Sequence, residues 1–238
     1  MPMGAHFELH IEQGPILEAE KKKKKKKKKI GVMQGVQAYN RQCEELTERT
    51  TDAHTGTTPL SRRANALLLA SKLILHSHRR ATAHSALAST GVLTLAPGST
   101  NTIPGHVRFS LDIRSPEDSV ITTLEEELKR DLAALAAGED IGGLHAGGTA
   151  GRSEALEVAW QTDSQTTVTR FHEDCIKTVR EAAVEVLGGV EDLIRDVKSG
   201  AGHDSVYASK HCPTSMIFVP CREGVSHNPT EYASAEDC

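Results

Sequence analysis

Residues 106–113 read HVRFSLDI and alternate strictly between apolar and polar side chains. Because successive side chains of a strand point to opposite faces of a sheet, this segment predicts a strand with one buried and one polar face. A second strand is expected at 90–95, since turn-forming proline and glycine residues separate the two segments. Two strands are not stable alone, so the pattern requires further strands and a layer that covers the apolar face.

Two helical segments can supply that layer. Residues 59–78 predict a helix with Thr58 as its cap and Pro59 in its first turn. Its expected apolar face includes Ala64, Leu67, Leu68 and Leu75. A second helix is expected from about residue 115 to 137, with acidic residues favourably placed in its first turn.

A glycine-rich loop at 138–151 and a strand at 156–160 are expected to follow. The order from residue 34 to residue 160 is strand, helix, strand, strand, helix, strand. This order predicts a split βαβ arrangement, in which two helices back a four-stranded antiparallel sheet. The first strand is the exception, because residues 40–51 (NRQCEELTERTT) are nearly all polar and favour a helix or a loop.

The flanking segments indicate a different domain. Strands are expected at 7–11 and 215–219, and a helix is expected at 172–187. The fold class is therefore α/β, with a mixed-sheet domain formed by residues 1–33 and 161–238 and an α+β domain inserted at 34–160. The run Lys21–Lys29 is expected to be a solvated loop, because like charges repel one another.

Charge and composition exclude several classes of protein. Subtracting the nine lysines of the run from the net charge of −4 leaves −13, and such an acidic body argues against a nucleic-acid partner. No apolar stretch approaches the length of a membrane span, and no targeting segment is seen. Five cysteines without metal-site spacing indicate free thiols in a reducing compartment. We therefore expect a cytoplasmic protein.

Four segments place histidines in turns near strand ends, where functional groups often lie. They are HIEQGP at 10–15, HTGTTP at 54–59, SGAGHD at 199–204 and SHNP at 226–229. Taken singly, a histidine in a turn is more often a surface or hydrogen-bonded residue than a ligand. Asn101 could serve its own turn, and Arg114 could be a solvated charge. A serine nucleophile at 199–204 is disfavoured, because the GxSxG elbow is missing.

Together these segments resemble one family. HFELHIEQGP, HTGTTP, NTIPG followed by LDIR, SGAGHDS and SHNPTEY occur in an order similar to that of the allantoate amidohydrolases, β-ureidopropionases and N-carbamoyl-amino-acid hydrolases. These enzymes belong to a larger superfamily of dinuclear-metal aminoacylases and carboxypeptidases. The resemblance implies a catalytic α/β domain that holds two zinc or manganese ions. It also implies an inserted lid at 34–160 that mediates a homodimer.

The resemblance also assigns roles to particular residues. His10 and His227 would each bind a metal ion, and His54 would stabilise the oxyanion in the neighbouring subunit's site. Five further residues would contact a small ureido substrate that bears a carboxylate: Gln13, Asn101, Arg114, Gly202 and His203. Asn101 and Arg114 would grip that carboxylate, for which a guanidinium is well suited.

The chain departs from the family pattern in ways that bear on activity. The family's other metal ligands and its general base lie upstream of HIEQGP, and residues 1–9 do not supply them. The chain also ends where the family continues into a final helix. The leading hypothesis is therefore a metal-dependent hydrolase of linear amide C–N bonds, impaired in this truncated chain. The alternatives are a non-catalytic lid and dimerisation module and, less favoured, a peptidase of the same superfamily.

Overall fold

The computed structural model describes residues 3–23, 28–48, 53–144 and 156–238. In chain order the strands are β1 (His6–Ile11), β2 (Ile30–Val36), β3 (Ala38–Glu48), β4 (Ala53–His54), β5 (Leu87–Ser89), β6 (Leu93–Ala96), β7 (Thr102–Ile103), β8 (His106–Ser115), β9 (Leu156–Thr166), β10 (Thr169–Arg170), β11 (Ile194–Ser199) and β12 (Thr214–Val219). The α-helices are α1 (Ile16–Lys23), α2 (Ala66–Ala83), α3 (Asp118–Ala136), α4 (Glu173–Val186) and α5 (Asp204–Ala208).

The chain divides into two compact units. Unit 1 comprises Met1–Gln37 and Val168–Cys238, and unit 2 comprises Ala38–Thr167. The inserted domain predicted from the sequence spans 34–160. The α/β fold class is confirmed.

Unit 2 is an antiparallel sheet backed by α2 and α3. Its strands lie in the order β5-β8-β3-β9. Strand β6 also pairs directly with β8, along the same edge as β5. The alternation of β8 has the expected effect, because Val107, Phe109 and Ile113 are buried. Val107 and Phe109 belong to a core that includes Leu69 of α2 and Leu132 of α3.

The expectation of a helix or loop at 40–51 is wrong for the described residues 40–48. These residues belong to β3, which lies between β8 and β9 and bonds to both. Asn40, Gln42 and Glu44 face the helices and are almost fully buried, although they are polar. Pairing on both sides of a central strand overrides the intrinsic preference of its residues, and the local pattern cannot reveal that pairing. Residues 49–51 lie outside the described residues.

Helix α2 begins later than expected. Residues 60–62 form a 3₁₀ turn, and the helix itself starts at Ala66, because the Asn65 side chain accepts a hydrogen bond from Leu68 N. Its buried face contains Leu69 and Leu73, whereas Leu75 is exposed. The single strand expected at 90–95 is instead the interrupted pair β5 and β6. The strand expected at 156–160 continues to Thr166.

Unit 1 is built on a mixed sheet. Strand β1 pairs in parallel with β12, and β12 pairs with β2 in the antiparallel direction. Strands β10 and β11 also pair with β2, antiparallel and parallel respectively. Helix α4 packs on β12 and β2, and α5 packs on β1 and β12. A core of Leu17, Met33, Met216 and Phe218 joins these elements. The expected elements at 7–11, 172–187 and 215–219 are present as β1, α4 and β12.

The lysine run is not the solvated loop that its charge predicts, at least in its described parts. Lys21–Lys23 form the last turn of α1, and Lys21 Nζ lies 2.7 Å from Asp237 Oδ1. Lys29 is buried, bonds to Asp192 O and pairs with Glu20. Lys22 and Lys23 remain exposed, whereas acidic residues of unit 1 pair with Lys21 and Lys29. Residues 24–27 lie outside the described residues.

Two further expectations concern thiols and membranes. All five cysteines are free, and Cys238 is the exposed one. Within the described ranges, none of the helices has the length and apolar character that a membrane span requires.

Candidate functional site

Strand β1 presents two potential metal ligands on one face. Glu8 and His10 are two residues apart and therefore point the same way, whereas Phe7 and Leu9 point to the other face. His10 Nδ1 lies 2.7 Å from Ile11 O. A carbonyl oxygen only accepts hydrogen bonds, so Nδ1 carries the proton and Nε2 retains a lone pair.

His203 lies beside His10 in unit 1. It immediately precedes α5 and is buried, and its ring centroid is 4.7 Å from that of His10. Burial, together with the nearby His10, lowers the pKa of His203 to about 4. His203 is therefore neutral at physiological pH and can offer a lone pair. Ser199 Oγ lies 2.7 Å from His203 Nε2 and fixes the ring.

Glu8 completes this group. Burial disfavours its charged form, but hydrogen bonds from Ser205 and the proximity of His203 and His10 outweigh burial and lower the pKa of Glu8. One potential ligand atom from each of Glu8, His10 and His203 lies within 4.8 Å of the others. Two imidazoles and one carboxylate are a donor set that zinc accepts, so these residues fit a divalent ion. The sequence motifs assign no role to Glu8, although its position two residues before His10 on a strand places both side chains on one face.

Gln13 and His227 form a second contact in unit 1. Gln13 Nε2 lies 3.4 Å from His227 Nε2. Both residues have a φ of 56°, in the left-handed region that non-glycine residues seldom adopt. Glu231 Oε2 accepts a hydrogen bond from His227 N. The structure thus brings Gln13 and His227 together, but His227 is not part of the Glu8–His10–His203 group.

Glu12 and Gly202 also belong to the sequence motifs. The Glu12 carboxylate accepts hydrogen bonds from Ile16 N and Leu17 N, so it caps α1, and burial raises its pKa. Gly202 is exposed and directly precedes His203.

In unit 2, hydrogen bonds orient the His54 ring and select its tautomer. Its Nδ1 accepts hydrogen bonds from Gly56 N at 3.0 Å and from Thr57 N at 3.2 Å. A nitrogen that accepts carries no proton, so the neutral ring holds its proton on Nε2. His54 is exposed and can therefore donate from Nε2 to a ligand.

Asn101 lies next to His54. Strand β4 pairs with β7, so His54 is opposite Thr102, and Thr55 N donates to Asn101 O at 3.0 Å. Asn101 belongs to the loop that connects β6 to β8. This loop lies at the end of the sheet where β8 begins, at His106.

Arg114 lies at the other end of β8. Its Nε and Nη2 donate to the two carboxylate oxygens of Asp112 at 2.8 and 2.7 Å, and Arg41 Nε also donates to Asp112. This pairing raises the pKa of Arg114. Arg114 is eight residues beyond His106, which corresponds to about 26 Å along an extended strand. One copy of unit 2 therefore presents the His54–Asn101 pair and Arg114 at opposite ends of its sheet.

An apolar cavity of about 410 Å³ also occurs in unit 1, but it lies away from these polar groups. Phe7 and Leu9 line it together with Val179 and Val186 of α4. Because Phe7 and Leu9 point away from Glu8 and His10, this cavity is on the opposite face of the sheet.

Comparisons with known proteins place these observations in context. The model of "Peptidase family M20/M25/M40" matches residues 1–238. An N-carbamoyl-L-amino-acid amidohydrolase of Rhizobium meliloti is 33% identical over 236 residues, which cover 98% of this chain and 50% of the relative. The allantoate amidohydrolase of Escherichia coli is 27% identical over 236 residues, with 98% and 51% covered.

Solved structures are similar over the same extent. A hydantoinase/carbamoylase family amidase from Burkholderia multivorans matches with a TM-score of 0.79 and 39% identity, over 98% of this chain and 51% of that chain. The structure of AtUAH in complex with glyoxylate matches with a TM-score of 0.80 and 26% identity, over 98% and 50%. The chain thus spans about half the length of these relatives. It belongs to peptidase family M20/M25/M40, where its relatives include carbamoylase and allantoate amidohydrolases.

Proposed function

We propose that this chain contributes to a metal-dependent hydrolase. The enzyme would cleave linear amide C–N bonds of N-carbamoyl or ureido carboxylates, allantoate among them. The observation that carries the proposal is the preoriented pair of His10 and His203 beside Glu8. The relatives named as N-carbamoyl-L-amino-acid and allantoate amidohydrolases support the substrate class.

The proposed residues of unit 1 act on the metal and the substrate. His10 and His227 would hold divalent ions, zinc or manganese, and Gln13, Gly202 and His203 would contact the substrate. A bound divalent ion supplies a water molecule of lowered pKa and polarises the scissile carbonyl. The hydrogen bond from His10 Nδ1 to Ile11 O supports this role, because it leaves Nε2 available to a metal.

The proposed residues of unit 2 act on charge that the substrate carries or develops. His54 would donate from Nε2 to the oxyanion, and its two backbone partners hold it in the tautomer that can do so. Asn101 and Arg114 would bind substrate polar groups, and Asp112 keeps the Arg114 guanidinium in a fixed orientation.

The arrangement of unit 2 favours a homodimer. Since His54 and Asn101 lie far from Arg114 within one copy, we propose that two copies contribute them to one substrate. Strands β5 and β6 form an edge of the sheet, where Leu87, Leu93 and Leu95 are exposed. Such an apolar edge is suited to pairing with a second copy.

Ammonia release from N-carbamoyl amino acids and allantoate tests the proposal. We would assay the chain alone and a fusion to the N-terminal half of the Rhizobium meliloti relative, because this chain covers 50% of that protein. We expect the fusion to release ammonia from these substrates and to lose this activity when the metal is chelated. A metal-free, inactive dimer in both forms would instead support the dimerisation module.

Arg114→Lys tests the carboxylate contact in the same fusion. Lysine keeps the charge but loses the planar two-point grip, so substrate affinity should weaken by about 1.5–3 kcal/mol. Arg41→Lys is the matched control, because Arg41 pairs with the same Asp112. If the kinetic constants changed equally in the two variants, Arg114 would have a structural role and would not bind the substrate carboxylate.

A further inference from the structure

We infer that Arg63 is a positioning residue for the proposed reaction, because its guanidinium holds the turn that orients His54 and contacts Asn101. The roles of His54 and Asn101 belong to the proposed function, on which this inference rests, whereas the placement of the turn is measurable without turnover. The sequence motifs assign no role to Arg63, which lies just beyond HTGTTP.

Arg63 contacts the turn after His54 at two points. Its Nη2 donates to Thr55 O at 2.6 Å, and its Nε donates to Thr58 O at 2.7 Å. A guanidinium presents its N–H groups in a fixed planar fork, so these two short bonds hold both carbonyl groups at once. Arg63 is partly buried, which reduces the competition of water for the same carbonyl groups.

The turn in its own right holds the His54 ring. His54 Nδ1 accepts hydrogen bonds from Gly56 N at 3.0 Å and from Thr57 N at 3.2 Å. These two amides lie between the two carbonyl groups that the guanidinium holds. A Cβ atom at Gly56 would lie 3.3 Å from His54 Cε1, so the turn and the ring are in close contact. A shift of the turn would therefore move the donors that select the orientation and the tautomer of His54.

The same contact extends to Asn101. Thr55 donates from its N to Asn101 O at 3.0 Å, and its own carbonyl oxygen accepts from Arg63. The pairing of β4 with β7 adds a second link, because His54 lies opposite Thr102. Arg63 thus helps to fix the relative placement of two residues that are proposed to contact the same substrate.

The backbone of Arg63 is itself well anchored. Its N–H donates to Leu60 O at 3.3 Å at the end of the 3₁₀ turn. Ala64 is fully buried, and Asn65 then caps α2 by accepting from Leu68 N. The guanidinium therefore extends from a fixed point at the start of a helix. Functional groups need such rigid support, because small displacements cost much activity.

Hydrogen exchange of single amides in the full chain, followed by NMR, tests this role. In Arg63→Gln the amides of Gly56 and Thr57 should exchange at least about tenfold faster, since the turn opens more often without the two bonds. The amide of Phe109 in β8 should keep its exchange rate, because it reports on the core of unit 2. In histidine-ring ¹H–¹⁵N spectra, the His54 ring should change from a single tautomer with its proton on Nε2 to a mixture of tautomers. Circular dichroism would verify that the variant is folded.

Two further variants make the exchange result decisive. Arg62→Gln is the matched control, because Arg62 is the exposed neighbour in the chain, and exchange at Gly56 and Thr57 should not change. Arg63→Lys keeps the charge but lacks the planar fork, so it should give an intermediate increase and serves if Arg63→Gln does not fold. Unchanged exchange at Gly56 and Thr57 in the Arg63 variants would overturn the inference. An equal increase throughout unit 2, or the failure of both Arg63 variants to fold, would overturn it as well, because Arg63 would then only stabilise the fold.

The fusion adds a functional measurement. Arg63→Gln should lower its kcat/KM by about 100-fold, as expected when a catalytic group is displaced by about 1 Å, and Arg62→Gln should leave kcat/KM unchanged. An active fusion in which Arg63→Gln has no effect on kcat/KM would also overturn the inference. A fusion that is inactive before any substitution would count against the proposed function alone, since the exchange measurements decide the role of Arg63 without turnover.

Discussion

Replacing Glu44 with glutamine is expected to remove the largest single pH-dependent contribution to the stability of unit 2. Glu44 is 1% exposed, and neither carboxylate oxygen bonds to another residue in the described part of the chain. Burial, opposed only in part by its own backbone N–H, raises the pKa of Glu44 from 4.5 to about 8. The folded chain therefore retains a proton that the unfolded chain has lost.

The sign of the effect follows from this difference. Below pH 4.5 both states are protonated and Glu44 carries no ionisation penalty. Between pH 4.5 and about 8 the unfolded state is ionised and the folded state is not, so stability falls as pH rises. The full loss is on the order of 5 kcal/mol at about 1.4 kcal/mol per pH unit.

Urea denaturation at pH 5, 6.5 and 8 would measure this effect. The chain has one tryptophan, Trp160, which is directly opposite Glu44 on β9, so its fluorescence reports on unit 2. Glu45→Gln is the matched control, because Glu45 is exposed on the other face of β3 and bonds to His106. If Glu44→Gln and Glu45→Gln showed the same change in unfolding free energy with pH, the buried-acid account would be wrong.

Gly35→Ala is expected to destabilise unit 1 by more than about 3 kcal/mol, enough to threaten its folding. A Cβ atom at Gly35 would lie 2.1 Å from Thr169 O, a backbone atom that cannot rotate away, and Gly35 has a φ of +155°. The residue lies where β2 pairs with both β10 and the irregular part of β11, so three strands would have to separate.

Circular dichroism during urea denaturation would quantify that loss. Gly4→Ala is the control, because a Cβ atom at Gly4 meets nothing within 4 Å and Gly4 belongs to the same unit. Unfolding free energies of the two variants within about 1 kcal/mol of each other would show that β2 and β10 can move apart at little cost.

Local patterns in the sequence determined much about this protein. The alternation at 106–113 predicts β8, because burial on one face of a sheet requires a period of two. The collinear motifs predicted the family, which the comparisons confirm. Each of these patterns lies within a short stretch of neighbouring residues, so it can be read without coordinates.

Only the tertiary structure decided that polar residues 40–48 form a central strand, because their partners in β8 and β9 lie more than 50 and more than 100 residues away in the chain. It also decided that Glu8 and His10 meet His203, which α5 and β12 bring to β1. The tertiary structure also decided how the lysine run is paired, since Lys21 bonds to Asp237, which lies more than 200 residues away in the chain. Distant neighbours determine whether a charged residue is paired, whether a polar residue is buried and which potential ligands lie together. A linear sequence pattern does not contain these contacts.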